Sequence, residues 1–265
     1  MTDPRPIGVF DSGVGGLTVV AAIRDCLPQE SLLYLGDTAR VPYGTKSADV
    51  VRRYATNCSR FLVDQGAKFL VVACNTASAY AIDALRQSFD LPVVGVVEPG
   101  ARLAAEATRN RHIGVIGTEG TITSGSYQRA LAHLAPGVEV VATPCPLFVP
   151  LAEEGMVDHP ATRMLAQEYL GPLKAGDIDT LVLGCTHYPI LQPLLQEVVG
   201  AGVRIIDSAT AVAGAVATAL AESQLTAYRR ADNDRFFATD VSQRVKRVGQ
   251  TFLGAGLEHV ELVDL

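Results

Sequence analysis

The chain is short of positive charge. Its 22 Lys and Arg stand against 28 Asp and Glu, a net charge of −6, which argues against a nucleic-acid surface, since that needs clustered basic excess. The two dense basic stretches, Arg229-Arg230 and Arg244 to Arg247, read as solvated faces. Lysine is scarce: positions 46, 68, 174 and 246 are all there is. None follows an apolar run, so a pyridoxal Schiff base has no evident anchor. Cysteines occur at 26, 58, 74, 145 and 185, with no C-x-x-C pair among them. An odd number at these spacings weakens zinc, iron-sulfur and disulfide readings and suits free thiols in a reducing cytoplasm. No window approaches the ~20 apolar residues of a membrane span, and "MTDPRPIGVFDSGVGG" lacks a signal-peptide pattern. The expectation is a cytoplasmic protein with no metal, no membrane and no nucleic-acid partner.

What is present is a soluble globular composition over 265 residues, enough for one large or two ordinary domains. Short apolar runs rich in β-branched residues predict strands at Ile7 to Phe10, Leu32 to Leu35, Phe69 to Ala73, Pro92 to Val97, Ile113 to Ile116, Val138 to Ala142, Thr180 to Leu183 and Val203 to Ile206. Helical stretches such as Leu17 to Leu27, Ser47 to Gln65 and Thr76 to Ser88 lie between them. Uninterrupted apolar strands alternating with helices predict parallel sheets covered on both faces.

A repeat underlies this order. "IGV" begins at Ile7 and again at Ile113, 106 residues on, and Cys74 and Cys185 stand 111 apart. The second and fourth strands of each set keep nearly the same offsets, which predicts two similar α/β halves produced by internal duplication. The first half covers residues 1 to 97 and the second 98 to 207. A helix from Ser208 to Glu222, a polar loop, a strand near Phe236, a helix near Val241 to Leu253 and a strand at His259 to Val263 follow. This tail, residues 208 to 265, is assigned to the first domain.

In open parallel sheets, ligands bind outside the carboxyl ends of the strands. Those ends present Asp11-Ser12-Gly13, then Asp37 and Tyr43-Gly44, then Cys74-Asn75-Thr76 in the first half. The second half presents Thr118 and Thr121, then Cys185-Thr186-His187. "DSGVGGLT" is glycine-rich and precedes a helix, yet it is neither a dinucleotide fingerprint nor a phosphate loop ending in Lys-Ser/Thr. Taken singly, Asn75, Thr76, Thr118 and Ser208 read equally well as helix caps.

Cys26, Cys58 and Cys145 read as small buried hydrophobes. Cys74 and Cys185 differ, because each ends a strand beside hydrogen-bonding side chains. A helix N-terminus and a histidine stabilise thiolates. Two matched halves set face to face would carry these thiols to opposite walls of one cleft. A hydrolase needs one nucleophile and one base. Two equivalent thiols suit racemisation or epimerisation, which takes a proton from one face of a carbon and returns one to the other. An amino-acid Cα–H is a weak acid, so its carbanion needs a dry, donor-rich site. Asp11 could receive an ammonium group or orient the proton movement at Cys74. Asn75, Thr76 and Thr186 could bind a carboxylate; Ser12, Tyr43 and Gly44, with Thr118 and Thr121, could bind a second anion.

The stretches "IGVFDSGVGGLTV", "YLGDTARVPYG", "VVACNTASA", "IGVIGTEGTI" and "LVLGCTHYP" resemble the glutamate racemase family of cofactor-independent amino-acid racemases. The resemblance implies two α/β domains with the active site between them, and interconversion of L- and D-glutamate for bacterial peptidoglycan. It implies that Cys74 and Cys185 give and take the proton, and that Asp37, Glu153 and His187 assist the thiols. It further implies that Asp11-Ser12, Tyr43-Gly44, Asn75-Thr76 and Thr186-His187 contact substrate. Glu154 competes with Glu153 for its role, and the segment after about Glu222 carries no recognisable motif, which leaves its regulatory role or a homodimer open. An aspartate racemase, a Cys-His hydrolase using Cys185 alone, and a binding protein that tolerates serine at both cysteines are the alternatives.

Overall fold

The computed structural model describes residues 3–265 apart from 242, 254–256 and 258. Among the described residues, ten parallel strands form two sheets. In chain order they are β1 (Ile7–Asp11), β2 (Leu32–Gly36), β3 (Phe69–Val72), β4 (Val93–Gly95), β5 (His112–Gly117), β6 (Glu139–Pro144), β7 (Thr180–Gly184), β8 (Arg204–Asp207), β9 (Arg235–Ala238) and β10 (Glu261–Leu262). The helices are α1 (Leu17–Cys26), α2 (Ala48–Asp64), α3 (Asn75–Ser88), α4 (Val97–Ala107), α5 (Glu119–Thr123), α6 (Ser126–Leu134), α7 (Phe148–Glu153), α8 (Pro160–Ala175), α9 (Gln192–Val199), α10 (Ser208–Glu222) and α11 (Gln243–Leu253). The helix expected from Val241 to Leu253 thus crosses residue 242, outside the described set, and is seen from Gln243.

The first sheet runs β10-β9-β2-β1-β3-β4 and the second β6-β5-β7-β8. Within these, β2-β1-β3-β4 and β6-β5-β7-β8 are the same permutation, the topological form of the duplication. The tail strands extend the first sheet, with β9 paired to β2 through Tyr34 opposite Phe236. The strand expected at Pro92 to Val97 stops at Gly95, because Val97 already starts α4, its amide donating to Ser78 Oγ at 3.4 Å.

Strand composition explains the layers. β1, β2, β3 and β7 are buried at every position, as strands covered on both faces must be. Alternate residues serve opposite faces. In the first sheet, Val9 and Val71 join Leu17, Val20 and the α10 residues Val212 and Val216, while Phe10, Leu70 and Val72 pack on α2 and α3 through Leu62 and Leu85. In the second, Val115 and Val182 meet Leu131 and Ala104, whereas Leu181 and Leu183 face Leu170 and Leu195. Helix α10 is rich in alanine, a strong helix former, and is capped by Asp207, whose carboxylate accepts the Ala209 amide at 2.9 Å. Its small side chains bring it against α1, so one apolar cluster continues from half to half.

Register brings the site together. Asp11 pairs with Gly36 and Phe10 with Val72, so β1, β2 and β3 end in step. Gly117 pairs with Gly184, so β5 and β7 do likewise. The carboxyl ends of both sheets meet across a cleft.

Candidate active site

The cleft closes on a cavity with about 30 Å³ of room for water, lined by Ser12, Tyr43, Gly44, Cys74, Asn75, Thr76, Thr118, Cys185, Thr186 and His187, with Val41, Pro42, Val149 and Gly184. Its two thiols occupy equivalent places: Cys74 lies two residues beyond β3, and Cys185 directly follows β7. Both are 6% exposed.

Their supports differ. Cys74 caps α3, its sulfur accepting the Ala77 amide at 3.5 Å while its thiol faces Ser12 Oγ at 3.5 Å. Burial pushes this thiol up to about 12, the nearby Asp11 carboxylate adds to the rise, and the Ser12 and Ala77 hydrogen bonds oppose it. Cys185 has no α-helix start beside it; the chain turns through a single 3-10 element at Tyr188–Leu191 before α9. Instead its sulfur lies 3.9 Å from His187 Nδ1, and His187 Nε2 lies 3.0 Å from Glu153 Oε1. Burial disfavours the imidazolium, but Cys185, Glu153 and Asp11 outweigh it and raise His187 to about 10. One thiol therefore uses helix amides, the other a cationic ring.

Asp11 is wholly buried. Burial raises its pKa, against the pull of His187 and of the Gly13, Gly16 and Ser12 amides. It accepts the Gly13 amide at 2.9 Å, and Thr186 Oγ1 approaches from the other half at 3.5 Å. Gly15 makes that approach feasible: a Cβ there would lie 2.6 Å from His187 Nδ1, inside any tolerable contact.

Thr76, Thr118 and Thr121 form a hydroxyl triangle across the halves, with oxygens 2.8, 3.1 and 3.0 Å apart. Thr121 belongs to that triangle and not to the cavity lining. Of the expected caps, Thr118 accepts the Thr121 amide at 3.2 Å. Asn75, Thr76 and Ser208 do not cap; Cys74 and Asp207 take those places because each stands one residue ahead of the helix start.

Asp37 is not among the residues that line the cavity. Its buried carboxylate receives the Tyr43 hydroxyl, the Arg40 guanidinium at 2.8 Å and the Thr239 hydroxyl at 2.9 Å. It anchors the turn that carries Tyr43 and Gly44. Glu153, not Glu154, makes the short contact to His187. No helix is long and apolar enough to cross a membrane among the described residues.

Reading the sequence also overlooked Tyr127 and Phe252. Tyr127 donates to Asn75 Oδ1 at 2.7 Å, and the Phe252 ring of α11 stands edge-on to His187 at 5.2 Å. Neither ends a strand, so the strand-end inventory that found the other residues had no means of finding these.

Residues 17–216 match the family described as Asp/Glu/Hydantoin racemase. The glutamate racemase of Geobacter metallireducens is 52% identical over 98% of this chain and 97% of its own. This chain belongs to the glutamate racemase family. Among solved members, glutamate racemase isoform RacE1 from Bacillus anthracis superposes with a TM-score of 0.95 at 40% identity, covering 98% of each chain. The Francisella tularensis glutamate racemase, solved in complex with D-glutamate, gives a TM-score of 0.93 at 38% identity, over 99% of this chain and 98% of that one. An aspartate racemase from Picrophilus torridus shares the fold alone, at 19% identity and a TM-score of 0.56.

Proposed function

We propose that this glutamate racemase family member interconverts L- and D-glutamate at Cα by two-thiol proton transfer between Cys74 and Cys185. The observation that carries the reading is the placement of two buried thiols at equivalent strand ends, lining one cavity. One thiolate removes the Cα proton from its face, and the opposite thiol delivers its own proton to the other face. The reverse direction exchanges the roles, so the protein needs both sulfurs and no third base at carbon. Names carried by relatives over nearly the full length support glutamate as substrate.

The other residues take roles that their contacts suggest. His187, held by Glu153, supplies positive potential to Cys185; Asp11 faces the substrate ammonium and keeps Cys74 protonated between turnovers. Asn75 Nδ2 is buried without a hydrogen-bond partner, and an unpaired buried donor is costly unless a ligand satisfies it. A substrate carboxylate is the matching acceptor, with Thr76 and Thr186 beside it. Ser12 and the Tyr43-Gly44 turn, near Thr118, receive the second carboxylate, and Thr121 orients the other two threonines. Asp37 acts through Tyr43 and Arg40 and not on sulfur.

Room for about two waters falls well short of an amino acid, so the halves must part to admit substrate. We assign residues 1–97 with 208–265 to one domain and 98–207 to the other, because β9 and β10 join the first sheet. The reaction proceeds on side chains of this chain without a cofactor, in the cytoplasm, and supplies D-glutamate for peptidoglycan.

Protein incubated with L-glutamate in deuterated water, without added pyridoxal phosphate or metal, is expected to yield D-glutamate labelled at Cα. Folded protein that leaves optical rotation and Cα–H unchanged would overturn the assignment. Faster labelling of aspartate than of glutamate would transfer it to the shorter substrate.

A further inference from the structure

We infer that Tyr127 is a positioning residue that sets the orientation of the Asn75 amide and so presents its Nδ2 donor to the substrate carboxylate. The inference rests on the reading of Asn75 given above. Tyr127 lies on α6 in the second half and Asn75 opens α3 in the first, so their hydrogen bond crosses the cleft.

The two possible orientations of the amide are not equivalent. Tyr127 is 1% exposed and Asn75 2%, and among the described residues the Asn75 side chain is the hydrogen-bond partner of the Tyr127 hydroxyl. With Oδ1 toward the tyrosine, the phenol has its acceptor, the carbonyl has its donor, and a single donor, Nδ2, is left over. Rotating the amide by a half-turn would let Nδ2 donate to the phenolic oxygen but would leave the phenolic proton and Oδ1 both unpaired in a buried site, the costlier state. The leftover donor belongs to a residue that lines the cavity. Tyr127 thereby preorganises a carboxylate contact.

The ring is held for this task. A Cβ on Gly100 of α4 would lie 3.2 Å from the Tyr127 hydroxyl, and one on Gly184 would lie 3.2 Å from the ring edge. Gly184 precedes Cys185, so the same ring backs one thiol and steers the amide beside the other. Because the bond joins the two halves, the donor is aligned only when the cleft is closed, when the carboxylate is already enclosed.

The test is steady-state kinetics with both glutamate enantiomers on the wild type, Tyr127→Phe, Asn75→Ala and the double variant, with 4-aminophenylalanine at position 127 as the rescue. Loss of one neutral hydrogen bond predicts a KM about three- to tenfold higher in Tyr127→Phe, with kcat within about twofold of wild type. Asn75→Ala should raise KM at least as far, the double variant no further than Asn75→Ala, and the amino-substituted ring should recover most of the loss. A wild-type KM in Tyr127→Phe beside a raised KM in Asn75→Ala would overturn the role of Tyr127 and leave Asn75 in place. A wild-type KM in Asn75→Ala would instead overturn the carboxylate contact itself. Additive losses in the double variant would show Tyr127 acting independently of Asn75 and would also overturn the inference. Should Tyr127→Phe melt below assay temperature, Gly100→Ala, which crowds the hydroxyl, must show the same KM-only increase.

Discussion

His187 and Glu153 form a charge-assisted pair, Nε2 to Oε1 at 3.0 Å, with the ring's other nitrogen turned to Cys185. Despite burial, its partners raise His187 to about 10, above the ordinary 6.5. A group whose pKa rises on folding binds its proton more tightly in the native state. Its stabilisation is complete below about pH 6.5 and is lost as pH climbs towards 10. Glu153→Gln is therefore expected to move the alkaline limb of kcat/KM to lower pH and to narrow the window over which urea midpoints fall. An alkaline limb unchanged in the variant would show that Glu153 does not set the charge on His187.

Gly15 offers a steric test of the same corner. Its Cβ position lies 2.6 Å from His187 Nδ1, and the ring cannot yield freely while Glu153 and Phe252 hold it. Gly15→Ala should displace the imidazole or keep the cleft ajar, and misplacement of about an ångström costs on the order of 10²-fold in rate. Melting temperature should change little, because the clash is with the Thr186 hydroxyl and the His187 ring at the site and not with apolar core side chains. Wild-type kcat/KM in Gly15→Ala would mean that the halves never approach this closely in turnover.

Much of this arrangement was legible in the chain. Periodicity located β1 and β5, β3 and β7, and the residues following them, because a parallel strand buried on both faces must be apolar throughout and must stop where polar groups begin. Cys74, Asn75, Thr118, Cys185 and His187 were found that way. What escaped detection depends on side chains reaching between elements. Asp37 follows β2 directly, as polar residues follow the other strands, yet Arg40, Tyr43 and Thr239 engage its carboxylate, and Thr239 comes from 202 residues further along the chain. Tyr127 lies in the first turn of α6, with no local signal that its hydroxyl crosses the cleft. Thr118 caps α5 as its residue type predicts, whereas the cap of α3 falls to Cys74, an unusual residue there because it accepts through sulfur.

The two thiols should fail in the same way. Serine at either position keeps size and hydrogen bonding but ionises far above a thiol, so neither variant can cycle between acid and base at neutral pH. Cys74→Ser and Cys185→Ser are each expected to lose about 10³-fold or more in racemisation. Each variant retains one working face, so each should exchange the Cα proton of one enantiomer preferentially, and the two should prefer opposite enantiomers. Proton NMR in deuterated water reads both quantities. Identical enantiomer preference in the two variants would place both sulfurs on one side of the substrate.

Far from the cleft, Lys68 Nζ meets Glu30 Oε2 at 2.6 Å with both side chains fully buried. The same ammonium donates to the Asp3 carbonyl at 2.6 Å, and Glu30 Oε1 accepts the Ala227 amide at 2.7 Å. The pair thus ties the N-terminal segment and the C-terminal tail to the start of β3. Removing one member leaves an uncompensated buried charge, which costs about 3–5 kcal/mol. Lys68→Met should lower the free energy of unfolding in urea by that much. The double variant Lys68→Met with Glu30→Gln should recover a large part, since Gln keeps the bond to Ala227 and buries no charge. A loss below about 1 kcal/mol in Lys68→Met would show that water reaches Glu30 and screens it.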